Sequence, residues 1–238
     1  MLIKKLNSHR LHSPFVNSFN HAAACRSQSS SFWVEARSNH QTGYGEGCPR
    51  IYVTGETLDS AEAFLLEMQS EICNEIKDLK TLKSWAEENR TAIDANPAAW
   101  CAIELALLEL FAKEAHTTIE SLLGLPALSG SFLYSAVLGD SEFSTFQSQL
   151  NEYIRLGFTD FKIKLSGDRI KDKQKFLLIN EKIHNGKIRV DANNLWNDPD
   201  TAIDYLGSLE TRLFAVEEPG IAFEYCFLER LASELAPR

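Results

Sequence analysis

Between residues 126 and 238 four short apolar runs recur at a nearly constant pitch, and this recurrence limits the fold more than any other feature. The runs lie at 133–138, 161–165, 188–190 and 213–216, and the steps from Ala136 through Lys162 and Val190 to Val216 are about 26 residues each. Each run is followed by polar residues and then by a stretch with helical spacing. One strand plus one helix occupies that length. Alternation at constant pitch predicts a parallel sheet covered by helices, and four such units make half of an eight-unit (β/α) barrel. An open doubly wound sheet competes, but no glycine-rich phosphate loop follows the first strand.

The region before Pro126 reads differently, as an α+β domain over residues 1–125, with the half barrel over 126–238. Residues 31–37 (SFWVEAR) alternate and are rich in β-formers, and Gly43-Tyr44-Gly45-Glu46-Gly47 reads as a turn and short strand. Residues 2–12 could supply a partner strand. The polar stretch 15–30 has no period and predicts a mobile loop. Apolar residues at Ala61, Phe64, Leu65, Met68, Ile72 and Ile76 predict a helix capped by Asp59-Ser60. Asn96-Pro97 opens a second helix, with proline in the first turn, where its missing N–H costs nothing. That helix is apolar on more than one face, which predicts burial.

Charge narrows the partners. With 33 acidic against 24 basic residues the formal charge is −9, which argues against nucleic acid or an anionic membrane as the main partner. Five scattered cysteines without a CxxC pair suit neither a disulfide framework nor a soft-metal site. Cys73 and Cys101 lie in apolar helical stretches and read as small core residues. No apolar leader or membrane-length run is present in the sequence. A soluble, reduced, cytoplasmic protein is the simplest expectation.

Three consecutive strand ends finish in charged residues. In Phe161-Lys162-Ile163-Lys164 the two lysines share a face, because alternate residues of a strand do. Mutual repulsion predicts a lowered pKa for at least one, towards the range where lysine serves as a base. Two solvated lysines on an edge strand would look the same. Ile188-Arg189-Val190-Asp191-Ala192-Asn193 ends in a carboxylate that suits either a metal or a helix N-cap. Leu213-Phe214-Ala215-Val216-Glu217-Glu218-Pro219 ends in paired glutamates, which suit a site or a solvated loop. Taken together, Lys164, Asp191 and Glu217 are spaced 27 and 26 residues apart, in step with the strand pitch. Strand ends in such register converge on one rim of a barrel, where catalytic groups gather. Carboxylate oxygens without His or Cys suit Mg²⁺ rather than zinc.

These motifs, with Gly43-Tyr44-Gly45-Glu46-Gly47, Pro49 and Tyr52-Val53-Thr54-Gly55-Glu56-Thr57 before them, resemble the enolase superfamily, specifically the muconate-cycloisomerase-like branch that includes dipeptide epimerases and N-acylamino acid racemases. The resemblance covers essentially the whole chain, with the helix around 102–113 as the linker to the barrel. It implies a capping domain followed by strands one to four of a TIM-like barrel. It implies an isomerase (racemase, epimerase or cycloisomerase) that abstracts a proton α to a carboxylate through a Mg²⁺-stabilised enediolate, on a dipeptide or N-acylamino acid. Lys164 would be the base on one face, and Lys162 would support it and the substrate carboxylate. Asp191 and Glu217 would hold Mg²⁺, with Mn²⁺ as an alternative occupant, and Asn193 would stand near the metal. Phe19, Ile51 and Tyr52, in the cap loops at 15–24 and 51–52, would contact the small-molecule carboxylate substrate.

At the same pitch, fifth and sixth strands would end at about residues 243 and 269, where the resemblance puts a third carboxylate ligand and an opposite-face lysine; the sequence ends at Arg238. The expectation is therefore a half barrel that pairs with another copy or with a separate C-terminal half. A catalytically incomplete remnant that only binds or oligomerises is the alternative, and a Mg²⁺-dependent lyase of the same superfamily is a third reading.

Overall fold

Glycine at every second position of residues 43–47 allows a strand to lie against a helix backbone to backbone. Strand β2 (Ala24–Arg37) pairs antiparallel with β3 (Thr42–Gly47), so that Phe32, Val34 and Ala36 stand opposite Gly47, Gly45 and Gly43. All three apolar residues are buried. Helix α4 (Pro97–Glu114) packs on that face: a Cβ on Gly43, Gly45 or Gly47 would run into the carbonyl oxygen of Ala106, Ala102 or Ala98. The four-residue step of those alanines matches the two-residue step of the glycines along the seam. The computed structural model describes residues 2–21, 24–220 and 225–235. Contacts group the chain into two units, Met1–Val16 with Ser27–Gly130, and Asn17–Arg26 with Ser131–Arg238.

Strand β1 (Lys5–His21) precedes β2 in a sheet ordered β1-β2-β3. The polar stretch 15–30, expected as a mobile loop, is therefore largely strand. Residues 11–15 are exposed on both faces of the ribbon, and a strand solvated on both faces needs no hydrophobic period to hold its backbone ladder. Helix α1 (Leu58–Glu75) starts two to three residues earlier than Asp59-Ser60 suggested: Thr57 is the N-cap, and Thr57 and Ser60 exchange side-chain-to-backbone bonds. Helices α2 (Leu79–Glu88), α3 (Arg90–Asp94) and α5 (Ile119–Leu122) complete this unit with α4.

The N-terminus of α4 carries no side-chain cap from Asn96. Instead the buried carboxylate of Glu56 accepts from the Ala98 and Ala99 amides at 2.8 and 2.9 Å, satisfying orphan donors where the helix dipole favours an anion. Most of α4 is buried, including Trp100, Ile103, Leu107 and Leu110. Cys101, expected in the core, is exposed on this helix, its thiol reaching the Glu46 carbonyl of β3 at 4.0 Å, while Cys73 is half-buried. No helix among the described residues is long and apolar enough to cross a membrane.

The second unit is a parallel sheet in the order β4-β5-β6-β7: β4 (Ala136–Leu138), β5 (Asp160–Lys164), β6 (Lys187–Asp191) and β7 (Ala215–Glu217). Helices α6 (Phe143–Arg155), α7 (Arg169–Lys182) and α8 (Pro199–Gly207) connect them, and α9 (Tyr225–Leu235) follows β7. Ala136, Leu138, Phe161, Ile163, Ile188 and Val190 face the helices and pack with Phe146, Leu150, Phe176, Ile179 and Leu206. The alternate residues form the opposite face. Register pairs Val137 with Lys162, Lys162 with Arg189, and Arg189 with Ala215 in one row; Lys164 with Asp191 and Asp191 with Glu217 fill the next. Parallel pairing in register thus stacks Lys162, Lys164, Arg189, Asp191 and Glu217 on one side.

Candidate functional site

The carboxyl ends of β5, β6 and β7 bring four charged groups into one hydrogen-bonded cluster. The Lys162 ammonium donates to Glu217 Oε1 at 2.7 Å and lies 2.9 Å from Asp191 Oδ2. Lys164 Nζ donates to the same Asp191 oxygen at 2.7 Å and to Asn193 Oδ1 at 3.1 Å. Asp191 Oδ1 also accepts from the Asn193 amide. Asp191 sits at the centre, with a side chain only 2 % exposed against 39 % for Glu217. A carboxylate this buried is tolerated because it is fully paired.

The loops that follow the strands are built for the same rim. Asn193, Asn194 and Glu218 all take left-handed backbone conformations, with φ of 46°, 59° and 46°. Asparagine tolerates that region; for glutamate it costs energy and marks an over-determined position. Asn194 N donates to Glu218 O at 2.7 Å, and Asn193 Nδ2 donates to Glu218 Oε2 at 3.1 Å. The ladder between β6 and β7 continues through Ala192 N to Glu217 O and the bridge of Trp196 with Gly220. Glu218 therefore braces the Asn193 loop while Glu217 points into the cluster.

The electrostatics differ from the sequence expectation. Burial alone would lower the pKa of Lys162, but hydrogen bonds with Glu217 and Asp191 outweigh it and hold the ammonium above the ordinary lysine value. Repulsion between the two lysines does not decide the matter, because a carboxylate stands between them. For Asp191, burial works to raise the pKa, and the bonds from Lys164 and Lys162 reverse it, holding the carboxyl below the usual range.

Asp191 and Glu217 offer oxygen donors close enough to share one ammonium. This is the hard-donor chemistry that a magnesium-like cation requires, without sulfur or imidazole. The set fits such an ion in kind and supplies two carboxylates; among the described residues no group of three or more His, Cys, Asp or Glu is arranged for a metal.

The structure brings Lys162, Lys164, Asp191, Asn193 and Glu217 together. Ile51 and Tyr52 lie in the first unit, in a turn after β3, with Ile51 largely exposed. Phe19 belongs to β1, and its side chain lies outside the described residues. A cavity of about 500 Å³ opens at the other end of the sheet, lined by His184, Lys187, Arg212 and Phe214 among others, and includes none of the cluster.

The family model described as "Enolase C-terminal domain-like" matches residues 145–236. A hydrophobic dipeptide epimerase of Enterococcus faecalis is 29% identical over 180 residues, 74% of this chain and 49% of its own. An L-Lys-D/L-Arg epimerase of Desulforapulum autotrophicum is 32% identical over 157 residues, 65% of this chain and 43% of its own. The chain spans about half the length of the curated relatives it matches. The crystal structure of the Enterococcus faecalis dipeptide epimerase, complexed with Mg and the dipeptide L-Leu-L-Tyr, superposes with a TM-score of 0.80 at 26% identity. That superposition covers 98% of this chain and 66% of the other. A mandelate racemase/muconate lactonizing protein of Herpetosiphon aurantiacus shares the fold with a TM-score of 0.87 at 17% identity.

Proposed function

This chain belongs to the enolase superfamily, in the branch of mandelate racemase, muconate lactonizing enzyme and the dipeptide epimerases, and from that premise we propose that its site serves a racemase or epimerase reaction on a dipeptide or N-acylamino acid. The reaction removes a proton α to a carboxylate and returns one to the same carbon. The observation that supports this reading most is the single cluster joining Lys162, Lys164, Asp191 and Glu217 across three neighbouring strand ends.

Asp191 and Glu217 are the residues that would hold Mg²⁺, which, when bound, stabilises the negative charge that develops on a substrate carboxylate. Lys164 is the proposed base. Its Nζ is held by Asp191 and Asn193 at the tip of β5, where a bound α-carbon could approach from the open face of the sheet. Lys162, one row deeper and held as a cation, places a fixed positive charge beside that position and supports the substrate carboxylate. Asn193 holds Lys164 in place through its side-chain oxygen. The weak acidity of the α-proton is thus met by charge organised in advance rather than by a strong base. The dipeptide complexes of the related structures support a small carboxylate substrate, and the cap residues Phe19, Ile51 and Tyr52 are the proposed side-chain selectors.

The test is α-proton exchange in deuterated solvent over a library of dipeptides and N-acylamino acids, with Mg²⁺ present. Lys164→Ala is expected to abolish exchange from one substrate stereoisomer. Exchange that persists from both would remove Lys164 from the role of base.

A further inference from the structure

We infer that Asp172, a carboxylate outside the cluster, is a positioning residue that fixes the turn after β5 and through it the reach of Lys164. The inference rests on the isomerase reading for its catalytic consequence, and on geometry alone for the clamp.

Asp172 lies in the first turn of α7 and is fully buried. Its two oxygens collect hydrogen bonds from two other segments. Oδ1 accepts from Ser166 Oγ at 2.8 Å, Oδ2 accepts from the Ser166 amide at 2.9 Å, and Oδ2 also accepts from the Tyr205 hydroxyl of α8 at 2.7 Å. Lys175, equally buried, stands 3.7 Å from Oδ1 and 2.8 Å from Asp140 Oδ1, beyond the end of β4. One carboxylate therefore ties the β5 turn, α7 and α8 together, and Lys175 extends the tie to β4.

Ser166 follows Lys164 by two residues. The residue between them, Leu165, donates its amide to the Asp191 carbonyl at 3.0 Å. The backbone leaving Lys164 is thus held on one side by β6 and on the other by Asp172. A buried carboxylate costs energy even when paired, and an apolar residue of similar volume would commonly serve stability as well. What an apolar residue could not do is grip the Ser166 amide and hydroxyl together. Near Lys164 that grip matters, because a displacement of about 1 Å at a reacting group can cost about a hundredfold in rate.

The decisive comparison is Asp172→Asn, which keeps the volume, with Ser166→Ala as a milder cut of the same link should the first variant fail to fold. Two readouts are taken on each: amide hydrogen exchange at Leu165 and Ser166, and kcat and KM for α-proton exchange resolved by substrate stereoisomer. The expected result for Asp172→Asn is faster amide exchange at both residues with protection at Val190 retained. With it, kcat falls about tenfold to a hundredfold for the stereoisomer that Lys164 deprotonates, KM staying within about twofold. Ser166→Ala is expected to shift both readouts in the same direction by less. An equal loss for both stereoisomers overturns the positioning role, since a general loosening of the fold would do that. Unchanged protection at Ser166 overturns the clamp, and does so even if no substrate in the library exchanges at all, in which case the isomerase reading fails separately.

Discussion

Asp191 shows how one residue can decide the character of a whole rim. It receives both ammonium groups and the Asn193 amide while almost fully buried. Asp191→Ala would leave two cations facing each other, and breaking a buried pair from one side costs about 3–5 kcal/mol. Urea denaturation is expected to show a loss in that range, against little or none for Arg155→Ala in the exposed Glu152 pair. The identities of Lys162, Lys164, Asp191 and Glu217 were legible in the sequence, because strand alternation and constant pitch put them on one face. Their pairing was not. Whether two lysines repel or share a carboxylate depends on cross-strand register, and register between strands about 26 residues apart is a tertiary fact. Glu56 and Asp172 were not legible for a related reason: each looks like an ordinary acid beside a helix, and the groups that justify its burial lie 42 and 33 residues away in Ala98 and Tyr205.

Among elements, the β3–α4 seam is the least forgiving. Gly45 faces backbone atoms of Ala102 and Ala106, which cannot turn aside as a side-chain tip could. Gly45→Ala is expected to destabilise the first unit by about 1–3 kcal/mol or more, measured as a lower denaturation midpoint with an unchanged slope. The glycine repeat was visible as a motif, but its partner was not, since the sequence does not say which helix the strand will meet. Strands β1 and β2 were not readable between residues 15 and 30 because the apolar residues there follow no alternation, and amphipathic alternation is what makes a strand readable. The strand–helix units of the second half were readable for the opposite reason. Each buries one face against helices, so its apolar run had to be written into the chain.

At the scale of the molecule, acid should find the second unit through Asp140, where β4 is fastened to α7 by Lys171 and Lys175, each at 2.8 Å. Burial raises the pKa of Asp140, and the two lysines more than reverse it, so that the folded value lies below the unfolded one. The pairing therefore stabilises the fold fully at neutral pH, starts to be lost below about pH 5, and is gone once pH falls through the folded value. Asp140→Asn is expected to lower stability at pH 7 and to flatten its dependence on pH in the acid range, followed by thermal melts from pH 7 to pH 3. A variant whose acid limb ran parallel to the parent would show that other carboxylates govern that range.

The cluster at the rim is electrically self-cancelling, two ammonium groups against two carboxylates, in a chain whose formal charge is −9. With a divalent cation bound there, the same patch would carry an excess of two positive charges in a poorly screened setting, and a carboxylate ligand arriving next would find half of that excess waiting for it. Ion and organic anion would then each tighten the grip on the other, by the same factor in either order of addition. Titrating one at several fixed levels of the other should therefore reveal a mutual dependence that neither shows alone.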